Sequence, residues 1–120
     1  MEQKISGMNG YFEEQIALCA RREAELAADG RADEASFEKV KANICDIFRT
    51  ILSVAVKTGG GDEAAVRRFF VQKVQQIPSA WEAAYDAAKQ HNDPVRMRLE
   101  QIKLETAREI SAKFAAIWEE

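Results

Sequence analysis

Residues that build catalytic and metal sites are scarce in this sequence. Its 120 residues include two cysteines and one histidine, His91, which falls where a helix is predicted to end. A carboxylate-bridged di-metal bundle requires a Glu-x-x-His motif on each of two helices, and a structural zinc site requires four Cys or His ligands. No serine lies in a nucleophile-elbow motif. We therefore predict a protein that is not an enzyme and has no catalytic residues, metal or cofactor.

Long apolar runs are also absent. The longest uncharged apolar stretch covers residues 50–56, far short of the ~20 residues that cross a bilayer. Residues 1–7 lack the apolar segment of a secretory signal. Cys19 and Cys45 each lie in an apolar helical stripe, which favours buried free thiols, while a disulfide between the first two helices would require an oxidising compartment. We expect a cytoplasmic protein with no membrane partner.

An excess of basic charge is missing as well. The 17 Lys and Arg residues and the 20 Asp and Glu residues give a net charge of −3 and are spread evenly along the chain. A helix that reads DNA presents basic or amide side chains near its N-terminus. The only candidate for such a helix, which follows Pro78, presents Glu82 and Asp86 instead. Nucleic acid is therefore not an expected partner.

Glycine and proline are few, and they mark the ends of predicted helices. Residues 1–8 are predicted to form a flexible N-terminus and residues 9–120 a single helical-bundle domain. Five helices are predicted from apolar periodicity and capping residues: from about Asn9 to Ala28, from Asp33 to Lys57, from Asp62 to Ile77, from Ser79 to His91 and from Asp93 to Trp118.

The helix lengths predict an all-α fold. At ~1.5 Å per residue the first, second and fifth helices are rods of similar length, and the third and fourth together match them. The simplest architecture is an antiparallel bundle of four rods, with the third rod broken at Pro78. In the alternative arrangement, the third and fourth helices fold back as a hairpin.

The second helix is apolar over most of its circumference, which predicts that it is the central helix of the fold. Its polar residues form one narrow stripe that includes Asp46, Thr50 and Ser53. Such a stripe is most simply a solvated edge. A buried stripe would instead face a ligand cavity between the second, third and fifth helices, so we predict Asp46, Thr50 and Ser53 as possible ligand-facing residues.

Aromatic and methionine side chains on the two C-terminal segments suggest a partner surface. Tryptophan, tyrosine and methionine are enriched in the centres of protein interfaces. The alternative is that these side chains complete the core of a single chain. The predicted interface residues are Trp81, Tyr85, Met97, Leu104 and Trp118.

Three segments of the C-terminal half resemble short uncharacterised all-helical bacterial proteins of unassigned function: IPSAWE at residues 77–82, HND at 91–93 and IKLETA at 102–107. The resemblance implies a bacterial cytoplasmic protein and supplies no site residues. Our first functional hypothesis is a non-enzymatic bundle that acts through protein–protein association, as a homodimer or an adaptor. The alternative hypothesis is a small-ligand-binding or regulatory helical domain with a cavity near the second helix.

Overall fold

The protein is all-α in the computed structural model, which describes residues 1–119. Nine-tenths of the chain is helical, and residues 1–119 contain no strand. The helices are α1 (Glu2–Ala28), α2 (Ala32–Gly59), α3 (Glu63–Gln76), α4 (Pro78–Gln90) and α5 (Pro94–Trp118). The predicted fold class is confirmed.

Contacts between helix ends define an up-down-up-down order. At one end of the bundle, Lys4 Nζ of α1 lies 2.8 Å from Glu63 Oε1 of α3 and donates to the Trp118 carbonyl of α5 at 2.8 Å. Farther along, Glu23 of α1 pairs with Lys39 of α2 at 3.5 Å, so these two helices are antiparallel. The backbone of α2 packs against α1, α3 and α5, which confirms its predicted central position.

The third rod is bent at Pro78 rather than folded into a hairpin. Ile77 keeps helical backbone angles (φ −60°, ψ −43°), and its N–H donates to the Lys73 carbonyl at 2.9 Å. Pro78 has no N–H to donate to the preceding turn, so one hydrogen bond of the helix is lost there. Ser79, where the fourth helix is predicted to begin, is not an N-cap, because it lies inside α4 and its hydroxyl donates to the Gln76 carbonyl at 2.7 Å. The architecture with four rods is therefore confirmed.

The core is organised around an aromatic cluster, defined here as Phe48, Phe70, Trp81, Phe114 and Trp118. The Phe114 ring stacks on Phe70 at 4.3 Å and on Trp118 at 4.6 Å between centroids. Phe48 meets Phe70 and Trp81 edge-on at 6.3 and 6.4 Å. Such pairs contribute about 0.5–1.5 kcal/mol each beyond the burial of their area. The cluster therefore ties four of the five helices, α2 to α5, together.

The N-terminal segment is part of the first helix, so the predicted start at Asn9 is wrong. The helix begins at Glu2, and Met8, assigned by sequence to a flexible N-terminus, is fully buried in the core. Gly7 lies beside Ile117 of α5, where a Cβ on Gly7 would come within 3.6 Å of the isoleucine side chain. Gly7 lies in the segment predicted to be flexible, but tertiary packing outweighs its low helix propensity.

Helix ends follow the predicted capping residues at three of the turns. The Asp62 and Asp93 carboxylates accept from the N–H groups of Ala64 and Arg96 at 3.0 and 3.1 Å, as N-caps do. Gly30 ends α1 in the left-handed region (φ +73°), and its N–H donates to the Ala27 carbonyl at 3.1 Å. In contrast, the predicted N-cap Asp33 lies inside α2, and the first residue before that helix is Arg31.

Replacing Gly30 with alanine is expected to lower the free energy of unfolding by about 1 kcal/mol, because an L-residue at positive φ is strained. A Cβ at Gly30 would meet no atom within 4 Å, so the cost is a backbone cost. Urea unfolding followed by circular dichroism measures it.

The matched control is Gly10→Ala. Gly10 is helical, and a Cβ there also meets nothing within 4 Å. Alanine in a helix interior is favoured over glycine by about 0.5–1 kcal/mol, so this variant should be more stable than the parent. Changes of the same sign at the two glycines would contradict the conformations described.

Candidate functional site

The polar stripe of α2 faces solvent. Asp46, Thr50 and Ser53 are all exposed, and none of them lines the clefts described below. Asp46 pairs with Arg49 on the same helix, and the Thr50 hydroxyl donates to the Asp46 carbonyl at 3.0 Å. Asp46 and Thr50 therefore make hydrogen bonds within α2 at the surface. The prediction that these residues face a ligand cavity between α2, α3 and α5 is wrong.

The predicted interface residues fall into two groups. Trp118 is buried, 4% exposed, and belongs to the aromatic cluster, so its assignment to an interface is wrong. Trp81, Tyr85, Met97 and Leu104 are half-buried. The structure does not bring these four into one patch: the Trp81 ring turns inward against Phe48, whereas Tyr85 and Leu104 line an outer cleft between α4 and α5.

A different apolar surface lies along α2 and α3. Ile47 and Val54 of α2 are 42% and 44% exposed, although both are large apolar side chains. Val54 lines a shallow cleft of about 430 Å³ together with Ile51, Phe69 and Ile77. Ile47 lies four residues before Ile51 and seven before Val54, so it falls on the same side of α2. We call Ile47, Ile51, Val54, Phe69 and Ile77 the α2–α3 face. The cleft on this face has a more apolar lining than the cleft between α4 and α5.

Charged residues border the α2–α3 face without crossing it. Lys73 of α3 places its ammonium 5.6 Å from the centroid of the Phe69 ring, a cation–π contact that keeps the charge at the edge. Gln76 lies on the same side of the cleft. On α2, Asp46 and Lys57 belong to the exposed polar stripe that runs beside the apolar residues. An apolar centre with a polar rim is the anatomy of a protein interface.

Sequence reasoning missed this face because it took the wide apolar arc of the second helix, which includes Ile47, Ile51 and Val54, as the sign of a central helix. Their spacing of three and four residues is the same whether a helix stripe packs inside the chain or against another molecule. The available signal was that the apolar arc of α2 is wider than one neighbouring helix can cover. We interpreted the wide apolar arc as the sign of a helix at the centre of the fold, and not as the sign of a helix with an uncovered side.

Two buried carboxylates were also missed. Glu38 and Glu100 are 8% and 2% exposed, and each accepts a hydrogen bond at 3.2 Å from the lysine three residues later, Lys41 or Lys103. The second oxygen of each carboxylate is buried without a hydrogen-bond partner. No group of three Asp, Glu, His or Cys side chains within residues 1–119 is arranged to hold a metal ion. A half-satisfied buried carboxylate costs stability.

The two cysteines are buried free thiols, as predicted. Burial raises the pKa of Cys19 to about 11, with the Glu38 carboxylate adding to the effect. Burial also raises the pKa of Cys45 to about 12, and the neighbouring Cys19 and Glu109 add to it. A thiol with such a high pKa carries almost no thiolate near neutral pH, so neither cysteine is an activated nucleophile.

Because comparisons with known proteins find no match, the class of the molecule is defined by its fold alone. No family model, curated protein or solved structure matches the chain. No helix formed by residues 1–119 has both the length and the apolar character needed to span a membrane. The described residues thus define an all-α bundle, four rods with one bent, that carries an uncovered apolar surface on α2 and α3.

The raised thiol pKa values predict a loss of stability in alkaline solution. Well below pH 9 both cysteines are protonated in the folded and unfolded chains, so they add no pH dependence there. As the pH rises from 9.0 toward 11–12, the thiols ionise in the unfolded chain before they ionise in the folded one, so the free energy of unfolding falls.

Urea unfolding between pH 8 and about pH 10.5 tests this expectation. The Cys45→Ala variant should lose part of the downward slope above pH 9, whatever its stability at pH 8. An unchanged slope in that variant would contradict the assignment of this pH dependence to buried thiols.

Proposed function

We propose that the protein is a non-enzymatic association module that pairs with a second copy of itself through the α2–α3 face. The observation that carries the proposal is the exposure of Ile47 and Val54 on the helix that otherwise forms the centre of the fold. These residues are seven positions apart, two helical turns, and Ile51 lies between them on the same side of α2. Pairing removes this continuous stripe from water.

The charges beside the stripe favour a second copy over an unrelated partner. In an antiparallel pair with twofold symmetry, each contact occurs twice, and residue i of one copy meets residue j of the other. The apolar run from Ile47 to Val54 is centred between residues 50 and 51. Asp46 and Lys57 lie on the adjacent exposed stripe and are centred between residues 51 and 52, ~1.5 Å away along the helix. An α2–α2 pair therefore brings each Asp46 to within about 3 Å, along the helix axis, of the level of the partner's Lys57.

The remaining polar groups at this surface tolerate burial. The Thr50 hydroxyl, nearest the proposed twofold axis, already donates to the Asp46 carbonyl. Asp46 accepts from Arg49 within the chain and keeps a second oxygen for the partner's lysine. Because hydrogen-bonding groups near the axis are already satisfied, apolar burial there is not offset by a large desolvation cost.

Size-exclusion chromatography with light scattering, from micromolar to millimolar protein, tests the pairing. We expect a monomer–dimer equilibrium whose midpoint moves to at least ~10-fold higher concentration in Ile47→Glu and Val54→Glu, because each buries a charge twice in the pair. The matched control is Val95→Glu. Val95 is 72% exposed and lies at the start of α5, away from the α2–α3 face, so its dissociation midpoint should match that of the parent.

A parent chain that stays monomeric at millimolar concentration would overturn the self-association. Equal weakening by Val54→Glu and Val95→Glu would overturn the assignment to the α2–α3 face, because an effect of net charge alone does not depend on position. Circular dichroism of each variant confirms that the helices are intact.

A charge exchange tests the antiparallel register. Asp46→Lys should weaken the dimer, since it places two lysines level across the axis. Adding Lys57→Glu to that variant should restore dimerisation at least in part, because residues 46 and 57 of the two copies then carry opposite charges again. Analytical ultracentrifugation at low and high salt measures both effects, and an additive loss in the double variant would contradict the register.

A further inference from the structure

The two free cysteines are buried where α1 packs on α2. Cys19 and Cys45 are only 4% and 3% exposed. The backbone of α1 lies along that of α2 and approaches α5 at far fewer positions, so Cys19 is covered mainly by α2. Cys45 is two residues from the exposed Ile47, about 200° around the helix. Both thiols therefore lie away from the α2–α3 face.

The ion pair between Glu23 and Lys39 sets the register of these two helices. Because α1 and α2 are antiparallel, four residues before Glu23 corresponds to four residues after Lys39, so Cys19 is level with residue 43. Cys45 lies two residues farther, an offset of ~3 Å along the axis. Packed helices have axes 8–10 Å apart, and each Cα lies about 2.3 Å from its own axis. Helix geometry then gives a Cα–Cα separation of about 4.5–6 Å for the two cysteines.

This separation is that of a disulfide, whose Cα atoms usually lie about 4.4–6.8 Å apart. The closeness of the two thiols has an electrostatic sign as well, because Cys19 contributes to the raised pKa of Cys45. A bond between them would join α1 to α2 and close the chain between residues 19 and 45. Such a cross-link restricts the unfolded chain, so a disulfide that fits the fold stabilises it.

Cys19 is the thiol that becomes accessible first. It is the last buried residue of α1, since none of residues 20–28 is buried. Cys45 belongs to the main core cluster, and Cys19 lies outside it. Opening of the α1–α2 tip therefore exposes Cys19 at a small loss of buried area, whereas exposure of Cys45 opens the core. In the closed fold both thiols are covered and protonated, so reaction with a reagent begins in the opened tip.

We propose that Cys19 and Cys45 form a redox-sensitive pair that a small-molecule disulfide oxidises to an intrachain disulfide. The Cys19 thiolate attacks one sulfur of glutathione disulfide, which forms a mixed disulfide and releases one glutathione thiolate. The Cys45 thiolate then attacks the Cys19 sulfur, so that the intrachain S–S bond forms and the second glutathione leaves. Glutathione gains the two electrons, and its two thiolates take up the two protons. This reaction does not depend on the pairing of two chains.

Incubation of the folded chain with glutathione disulfide at about pH 8, followed by mass spectrometry, tests the proposal. We expect a single chain that has lost two hydrogen atoms and, after digestion, a cross-linked peptide that contains Cys19 and Cys45. In urea unfolding, the unfolding equilibrium constant of the oxidised chain should be at least ~10-fold smaller than that of the reduced chain.

The matched variants are Cys19→Ala and Cys45→Ala, which each keep one thiol and cannot form the bond. Cys45→Ala should stop at the mixed disulfide of Cys19 with glutathione. Cys19→Ala should react at least ~10-fold more slowly, because its remaining thiol lies in the core cluster. Circular dichroism of each variant confirms that the helices are intact.

An oxidised chain that is less stable than the reduced chain would overturn the proposal, because the bond would then strain the fold. A disulfide that forms only in the urea-unfolded chain, or only between two chains, would contradict the facing positions of the two cysteines. Equal rates of glutathione addition to the two single variants would overturn the role of Cys19 as the first thiol to react.

Discussion

The stacking of Phe70, Phe114 and Trp118 is the interaction on which the rest of the fold depends. It joins the first half of the third rod to the end of α5, and the edge contact of Phe48 with Phe70 brings in the central helix α2. Trp81 reaches the other edge of Phe48 from α4, beyond the bend. Because the rings are large and interlocked, a shift of any one of these helices would open a void among all of them.

The bend at Pro78 determines which surface of α2 stays open. Past the bend, α4 packs along α5, and within residues 1–119 its backbone does not approach that of α2. The side of α2 that carries Ile47 and Val54 is therefore left with α3 on one flank and solvent on the other. A helix can thus be central to the fold and still expose an apolar stripe.

Much of the fold was predictable because its signals are local. Asp62, Asp93 and Gly30 mark helix ends through hydrogen bonds with residues a few positions away, and Pro78 breaks the rod because it lacks an N–H. The start of α1 was not predictable in this way. Met8 is buried by contacts with distant parts of the chain, and these outweigh the glycines around it. The spacing of residues along the sequence shows helical periodicity, and it does not show contacts between distant parts of the chain.

The functional surface was less predictable for a related reason. Trp118 was assigned to an interface from its residue type, yet its ring stacks on Phe114, and no local pattern distinguishes the two outcomes. Ile47 and Val54 belong to the apolar arc from which the second helix was predicted to be central, yet both are exposed. Asp46, Thr50 and Ser53 face solvent, and Asp46 and Thr50 have hydrogen-bond partners within their own helix. Which apolar stripe is covered depends on the path of α4, which only the assembled bundle defines.

The central claim is that the open side of α2 is covered by a second copy in antiparallel register. A spin label at Thr50, introduced as a cysteine after the buried Cys19 and Cys45 are replaced by alanine, measures this directly by pulsed dipolar spectroscopy. Paired helices lie 8–10 Å apart, so labels beside the twofold axis should give an intermolecular distance below about 20 Å, and labels at Val95 a much longer one. A short distance at Val95, or no intermolecular coupling at Thr50 at millimolar concentration, would contradict the account.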